Sequence, residues 1–264
     1  MHSSGILKHC QKCVKIIKRK MCDCSELPFF PKYETINLQS HPEIRVTHFE
    51  PKFSQSHYNY QNVSVSSNAC TLIAILMASY CRHERIIINK PDEPVNPRLI
   101  YLLAYSILDG NKIHEELKAK GTLDNFNLTV PEAMKYAGYR AEGLTEWKSM
   151  IYMESLFQSL YGNIKSNLSE WCKSNKSKSN PDLYIILIAD NRSVLFILQK
   201  DTVTLVDSHQ HSDSKGALLA VGLREKFNIL CLWFAHIVNK CYKCDPGLYE
   251  LSFLYFKSKE YKQR

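Results

Sequence analysis

Residues 183–209 read LYIILIADNRSVLFILQKDTVTLVDSH, and this stretch decides the fold predicted for the chain. Three strand-like runs, residues 183–189, 193–199 and 202–206, are rich in β-branched, aromatic and aliphatic side chains. The polar segments between them are short enough to be hairpin turns. The stretch therefore predicts an antiparallel meander of three strands, with Asp207 and His209 at the end of the third strand.

The chain before residue 180 has the pattern of helices. N-cap residue types at Ser66, Ser67 and Asn68 precede an apolar stretch, which predicts a buried helix running to about Arg85. Further helices are predicted over residues 98–108, 112–120 and 147–171 (the last as one or two helices), and the first two of these are separated near Asp109-Gly110. Beyond residue 180, residues 217–239 are predicted to hold at least one helix, best seen in residues 229–238.

Capping and polar residues mark further boundaries along the chain. A short helix is predicted after Thr129, with Pro131 in its first turn and Gly138 at its end. Residues 166–180 are rich in Ser, Lys and Asn and predict a loop, while residues 44–49 and 250–256 predict strands. Helices that precede an antiparallel sheet predict an α+β fold.

Composition divides the chain into two parts. Its 264 residues, 45% of them hydrophobic, provide for one large domain or two small ones. Residues 1–40 combine a basic run with four cysteines and lack a clear hydrophobic period, so they are predicted to be an N-terminal appendage to a domain of residues 41–264. The formal charge of +8, concentrated in residues 8–20 and 165–178, indicates a solvated basic tail; nucleic acid is not favoured as a partner.

The ten cysteines indicate the compartment. A chain this long is not a disulfide miniprotein, so free thiols in the cytoplasm or the nucleus are predicted. No apolar run approaches the ~20 residues of a membrane span, and no secretory signal follows the basic start. Cys10, Cys13, Cys22 and Cys24 match a zinc site only loosely, so a tail with free thiols is favoured over structural zinc, and no cofactor or metal is predicted.

Three residues together predict a catalytic site. Cys70 stands where the buried helix begins, and a helix N-terminus favours a thiolate. Asp207 and His209 are two apart on a strand, so their side chains share a face, and the carboxylate can hold the imidazole in one tautomer. Each residue alone is weak evidence, because a cysteine in an apolar helix is usually a core residue. Their combination predicts a cysteine nucleophile, a histidine base and an orienting aspartate.

Acyl transfer also needs donors for the oxyanion of the tetrahedral intermediate. The backbone N–H of Cys70 is one predicted donor. For the second donor, a side-chain amide upstream of the nucleophile, Gln61 is the first choice and Asn68 the second. His211 lies one strand period beyond His209, and it is predicted to be an exposed loop histidine rather than a substrate-binding one.

The order of these residues resembles that of proteases that process ubiquitin and ubiquitin-like modifiers. Residues 67–71 (SNACT), 206–209 (VDSH) and 215–219 (KGALL) are similar to the nucleophile helix start, the strand end and the following Gly-containing segment of the herpesvirus tegument-like deubiquitinases. This resemblance covers roughly residues 55–240. It implies a papain-like cysteine protease fold, in which a helical part with the nucleophile helix packs on an antiparallel sheet. Family members often have Gln directly before the nucleophile, where this chain has Ala69.

The resemblance implies a thiol isopeptidase that removes ubiquitin or a ubiquitin-like modifier. In this hypothesis Cys70 attacks the carbonyl after a C-terminal glycine, His209 is the base and acid, and Asp207 orients His209. The alternative is a catalytically inactive module that binds a modifier or another partner. The departure at Ala69 favours the alternative, whereas the complete Cys–Asp–His set opposes it. The oligomeric state is left open.

Overall fold

The structure, a computed structural model, describes residues 26–61, 67–123, 125 and 127–257. Within these residues the chain forms one eight-stranded sheet and six α-helices. The strands are β1 (Tyr33–Leu38), β2 (His41–Phe49), β3 (Leu144–Tyr152), β4 (Leu183–Ala189), β5 (Arg192–Leu198), β6 (Thr202–Asp207), β7 (Leu218–Leu223) and β8 (Tyr249–Phe256). The helices are α1 (Cys70–His83), α2 (Pro97–Ala119), α3 (Val130–Ala137), α4 (Leu156–Lys173), α5 (Asn175–Ser179) and α6 (Phe227–Tyr242).

The sheet is antiparallel throughout, with the strand order β1-β2-β7-β6-β5-β4-β8-β3. Helices α1, α2 and α3 pack on one face, while α4 and α6 pack on the other. Strands covered on both faces bury every side chain, so they need continuous apolar runs rather than alternation. This explains why β4 and β5 consist almost entirely of apolar residues.

The predicted α+β architecture, with the Cys70 helix packed on an antiparallel sheet, is confirmed. The three-stranded meander is present as β4, β5 and β6, with the turns where they were predicted. Helix α1 is buried from Cys70 to Cys81, as its apolar sequence predicts. Helix α3 begins at a capping box formed by Thr129 and Glu132 and ends at Gly138. The two outer predicted strands are present, and β2 begins at His41 and β8 at Tyr249, ahead of the predicted starts at residues 44 and 250.

The predicted break near Asp109-Gly110 is wrong, because α2 runs through it without interruption. Gly110 is buried where α2 crosses α1, and a Cβ built on it would lie 2.6 Å from Ile73 Cγ1. Glycine is therefore used here to let the two helices pack closely, and not to let the chain turn. A sequence pattern cannot separate these two uses of glycine within a helix.

Two predictions for residues 147–180 are also wrong. Residues 147–152 belong to β3 because they pair with β8 at the edge of the sheet, and Trp147 packs edge-on against Trp171. The polar residues 166–180 form the end of α4 and the short α5. Burial of Ile164, Asn167 and Trp171 on one side of α4 keeps this polar segment helical.

Besides β3, two other strands were not predicted as strands. Strand β1 pairs with β2 at the edge of the sheet, and β7 lies between β2 and β6. The boundary predicted at residue 40 therefore falls in the turn between β1 and β2, so residues 33–38 are part of the sheet. Residues 1–25 of the predicted appendage, with its four cysteines and its basic run, lie outside the described residues.

Gly110→Ala is expected to destabilise the fold. The added methyl group meets the Ile73 side chain and backbone, so the two helices must move apart or Ile73 must leave its rotamer. Overpacking of this kind costs about 1–3 kcal/mol in the free energy of unfolding. Urea unfolding followed by circular dichroism measures this cost. Gly162→Ala, at a position with open space on α4, is the control and is expected to be neutral or stabilising.

Candidate active site

Cys70 is the first residue of α1, with Ala69 as the N-cap. Of the predicted N-cap residues, Ser66 lies outside the described residues, and neither Ser67 nor Asn68 caps the helix with its side chain. Ser67 instead donates its hydroxyl to Asn111 Oδ1 on α2, at 2.5 Å. An uncapped helix start keeps first-turn N–H groups available to stabilise negative charge near Cys70.

Hydroxyl groups join the Cys70 end of α1 to the meander. Thr71 Oγ1 donates to the carbonyl oxygen of Leu128 at 2.9 Å and lies 2.8 Å from Ser193 Oγ on β5. Ser193 also hydrogen-bonds to the Cys70 sulfur, both through its side chain and through its backbone. Sequence analysis did not identify Ser193, because its role depends on a contact between residues 122 positions apart.

Asp207 and His209 form the predicted pair at the end of β6. His209 Nδ1 lies 2.7 Å from Asp207 Oδ1, and the His209 backbone N–H donates to the same oxygen at 2.9 Å. This double contact fixes the rotation of the imidazole relative to the carboxylate. His209 also hydrogen-bonds to the Cys70 thiol, so the structure brings Cys70, His209 and Asp207 into one hydrogen-bonded chain.

The charged forms of Cys70, His209 and Asp207 stabilise one another. Burial disfavours a thiolate, yet the hydrogen bond and charge of His209 outweigh it and lower the pKa of Cys70. Burial also disfavours an imidazolium, but the adjacent Asp207 carboxylate raises the pKa of His209 to about 10. Burial works against ionised Asp207 as well, and the charges of His211 and His209 nevertheless hold its pKa well below the usual range. The arrangement therefore favours a thiolate–imidazolium pair, which is the reactive form of a cysteine nucleophile.

His211 is not an exposed loop residue, so this prediction is wrong. Only 5% of its surface is exposed, and both ring nitrogens have partners. Nε2 lies 3.1 Å from Asp207 Oδ2, and Nδ1 lies 2.9 Å from the carbonyl oxygen of Gly216. The chain turns back after residue 211, and the Ser212–Lys215 bridge folds His211 under the end of β6.

The upstream glutamine at the site is Gln55, whereas Gln61 was the first choice from sequence. Gln61 is exposed, and its backbone N–H donates to Asn59 Oδ1. Asn68, the second choice, is half-buried beside Ala69. Gln55 is 4% exposed, and its Nε2 donates to the carbonyl oxygen of Ser67, three residues before the nucleophile.

Gln55 also holds the segment that follows Asp207. Its backbone N–H donates to the carbonyl oxygen of Ser208 at 2.8 Å, and its Oε1 accepts from the Ser208 hydroxyl at 2.8 Å. Gln55 thus connects the approach to Cys70 with the residue between Asp207 and His209. No local pattern distinguishes Gln55 from Gln61, because both lie in the same polar stretch.

The described part of the chain offers no group of three or more His, Cys, Asp or Glu residues arranged to hold a metal ion. Cys10, Cys13, Cys22 and Cys24, the residues weighed for zinc, lie outside it. Among the described helices, none is both long and apolar enough to cross a membrane.

Fold and site together define an α+β protein with a Cys–His–Asp hydrogen-bonded chain at the start of a buried helix. The solved structures similar to it include a viral and a bacterial protein. One is the ubiquitin-specific protease encoded by murine cytomegalovirus tegument protein M48, solved with a ubiquitin-based suicide substrate. It has 15% sequence identity and a TM-score of 0.48, over 81% of this chain and 88% of the viral one.

The second similar structure is the Pseudomonas avirulence protein AvrPphB. It has 9% identity and a TM-score of 0.42, over 71% of this chain and 91% of the bacterial one. No protein-family model and no curated protein sequence matches the chain. At these identities and TM-scores the likenesses do not assign a function.

Proposed function

We propose that the chain is a papain-like cysteine protease that removes ubiquitin or a ubiquitin-like modifier from its conjugates. One observation carries the proposal: Cys70, at the uncapped start of α1, is hydrogen-bonded to His209, which is hydrogen-bonded to buried Asp207. A core cysteine needs no imidazole partner and no helix N-terminus. Cys81, in the same helix, shows the contrast, because burial raises the pKa of its thiol far above the usual range.

The reaction begins from the thiolate–imidazolium pair. Cys70 Sγ attacks the carbonyl carbon of the scissile bond, and the carbonyl π electrons move to oxygen to form a tetrahedral oxyanion. When the C–N bond breaks, the His209 imidazolium gives its proton to the leaving amine, and a thioester remains. Neutral His209 then takes a proton from water, which attacks the thioester, and the thiolate leaves. Asp207 keeps the Nε2 of His209 directed toward the sulfur through both steps.

We assign the oxyanion site to Gln55 and the backbone N–H of Cys70. An amide nitrogen has two N–H donors, and the bond to Ser67 uses one of them in Gln55. The second donor is available to a substrate oxygen beside the nucleophile. Burial of Gln55 strengthens such a bond, whereas an exposed amide such as Gln61 competes with water.

Restricted access to the nucleophile supports a slender substrate tail. Cys70 exposes 4% of its surface, and the His209 side chain exposes 12%. A scissile glycine, which has no Cβ, needs the least space to bring its carbonyl carbon to a nucleophile this buried. Modifiers of the ubiquitin type end in glycine on an extended tail, so they are the partner class we propose, in the cytoplasm or the nucleus.

The proposal is tested with a panel of modifiers that carry an electrophile at the C-terminus. Purified protein is incubated with ubiquitin and ubiquitin-like probes, and the modified residue is identified by peptide mass spectrometry. We expect one class of probe to add its mass to Cys70, and expect labelling to slow sharply when the last glycine is replaced by alanine. Tight binding without any labelling would instead establish the inactive binding module. Equal labelling by glycine and alanine probes would indicate a general peptidase.

The pH dependence of kcat/KM is expected to be bell-shaped and broad. On the acid side, activity appears as Cys70 loses its proton, at a pH below the ordinary thiol range because its pKa is lowered. On the alkaline side, activity disappears as the His209 imidazolium loses its proton, near pH 10. Hydrolysis of a fluorogenic modifier substrate across the pH range measures both limbs. An alkaline limb near 6.5, the ordinary histidine value, would show that Asp207 does not support the imidazolium.

Gln55→Ala is expected to lower kcat by about 10²–10³-fold, the usual effect of removing one oxyanion donor. Gln55→Ala also removes the Oε1 that accepts from the Ser208 hydroxyl, and part of the loss can come from that change. Gln55→Glu keeps this acceptor for Ser208 but lacks the amide N–H donor, so it is the more specific test of the oxyanion site. Gln61→Ala is the matched control and should retain nearly full activity. A larger loss in Gln61→Ala than in Gln55→Ala would restore the original choice of donor.

A further inference from the structure

His211 is a buried histidine that the proposed reaction does not use. It contacts Asp207 from the side opposite His209, so the two carboxylate oxygens serve two different imidazoles. The Gly216 carbonyl that binds the other nitrogen of His211 is rigidly held. Gly216 donates its N–H to the Phe49 carbonyl, and a Cβ at Gly216 would meet the Glu50 carbonyl oxygen at 2.3 Å.

The two partners of His211 determine its protonation. A carbonyl oxygen can only accept a hydrogen bond, so Nδ1 must carry a proton toward Gly216. An ionised carboxylate also only accepts, so Nε2 must carry a proton toward Asp207 Oδ2. Neutral imidazole has one N–H group, and only the imidazolium has two. Hydrogen bonds from both ring nitrogens to these two acceptors therefore need a cationic His211 whenever Asp207 is ionised.

We infer that His211 is a positioning residue of the active site. It is a buried imidazolium that fixes the Asp207 carboxylate, and the negative charge of that carboxylate is shared between His211 and His209. The inference rests on the proposed function, since it concerns the same thiolate–imidazolium pair. It completes the charge balance of the site, because the cations His211 and His209 match the anions Asp207 and Cys70. Burial of such a set is tolerable only when each charge has a partner.

A cationic His211 has a definite effect on the reacting pair. Its positive charge stabilises the Cys70 thiolate, and it weakens the hold of Asp207 on the His209 proton. Replacing His211 with a neutral hydrogen-bond donor is therefore expected to move both limbs of the activity profile to higher pH. The expected shift is about one pH unit, because one nearby positive charge is lost. Loss of a purely structural contact would lower activity without moving the limbs.

The other ionisable groups around His211 do not produce the same signal. Burial lowers the pKa of His48 to about 4, with smaller effects from Lys215 and His211, so His48 is neutral in the assay range. Burial raises the pKa of Tyr242, whose ring lies 5.9 Å from that of His211. The Arg192 guanidinium lies over the same Tyr242 ring, 3.9 Å from its centroid. Burial likewise raises the pKa of Cys241.

The experiment compares wild type with His211→Gln, whose amide can still donate to Asp207 but carries no charge. The rate of iodoacetamide alkylation at Cys70, read by peptide mass spectrometry, is measured against pH. We expect the midpoint in His211→Gln to lie about one pH unit higher than in wild type. His236→Gln, on an exposed position of α6, is the matched control and should leave the midpoint unchanged. Equal midpoints in all three proteins would overturn the inference.

A second measurement keeps the inference testable if His211→Gln fails to fold. Nitrogen NMR of histidine-labelled wild-type protein reports the protonation of each ring, and His211 is identified by its proximity to Tyr242. We expect both ring nitrogens of His211 to be protonated at neutral pH, whereas a singly protonated ring would overturn the inference. Alkylation by iodoacetamide needs no modifier, so it tests His211 independently of the substrate. If the modifier probes fail to label Cys70 but the alkylation midpoint still shifts in His211→Gln, the proposed substrate is refuted and the role of His211 stands.

Discussion

Cys70→Ala is expected to abolish covalent capture of a modifier probe and to lower hydrolysis by at least about 10⁴-fold, because the nucleophile is removed. The fold should survive, since alanine is smaller than cysteine and is the best residue for a helix interior. Loss of the ion pair with His209 should change the free energy of unfolding by only about 1–2 kcal/mol. Intact-protein mass spectrometry measures capture, and thermal unfolding measures stability.

Cys81→Ala is the matched control for this experiment. Both cysteines lie on α1 and both are buried, but only Cys70 has an imidazole partner. The Cys81 thiol has a raised pKa and is expected to be unreactive, so its replacement should leave probe capture unchanged. Full labelling of Cys70→Ala, or loss of labelling in Cys81→Ala, would contradict the assignment of the nucleophile.

The parts of the fold that could be predicted are those whose signals are local. Strands β4, β5 and β6 are continuous apolar runs joined by short polar turns, so both their type and their pairing follow from neighbouring residues. Helix α1 could be predicted because its apolar stretch does not alternate with polar residues. The Asp207–His209 pair is local too, because a spacing of two on a strand end places both side chains within reach of one another.

The parts that were missed depend on distant partners. Strand β1 is mostly exposed and polar, and it is a strand because β2 offers an open edge for pairing. Strand β7 is only six residues long and contains Gly222, so it was absorbed into the predicted helical region that follows. Its pairing with both β2 and β6, rather than its propensity, determines its conformation.

The same distinction applies within the site. Gln55 is defined by hydrogen bonds to Ser208, 153 positions away in sequence, and no residue near Gln55 indicates that contact. His211 was expected to be exposed because it follows a strand end. The tight return of the chain through Gly216 buries it instead, and Gly216 is accommodated there only because it lacks a Cβ.

His209→Ala is expected to reduce kcat/KM by several orders of magnitude, because one side chain both stabilises the thiolate and protonates the leaving amine. Asp207→Asn should cost about 10²–10⁴-fold, since it leaves the nucleophile and the imidazole in place and removes only the orienting charge. Asparagine is chosen because alanine would leave two buried imidazoles without their carboxylate partner, at a cost of about 3–5 kcal/mol in stability.

The direction of the pH shift in Asp207→Asn tests the whole arrangement. Asp207 is what raises the pKa of His209 to about 10, so without its charge the imidazolium should lose its proton at lower pH. The alkaline limb of kcat/KM should therefore move down in Asp207→Asn, whereas it should move up in His211→Gln. Opposite shifts from two residues that touch the same imidazole system can arise only if one supplies a negative charge and the other a positive one. Shifts in the same direction would refute the charge assignment, even if both variants lost activity to the same extent.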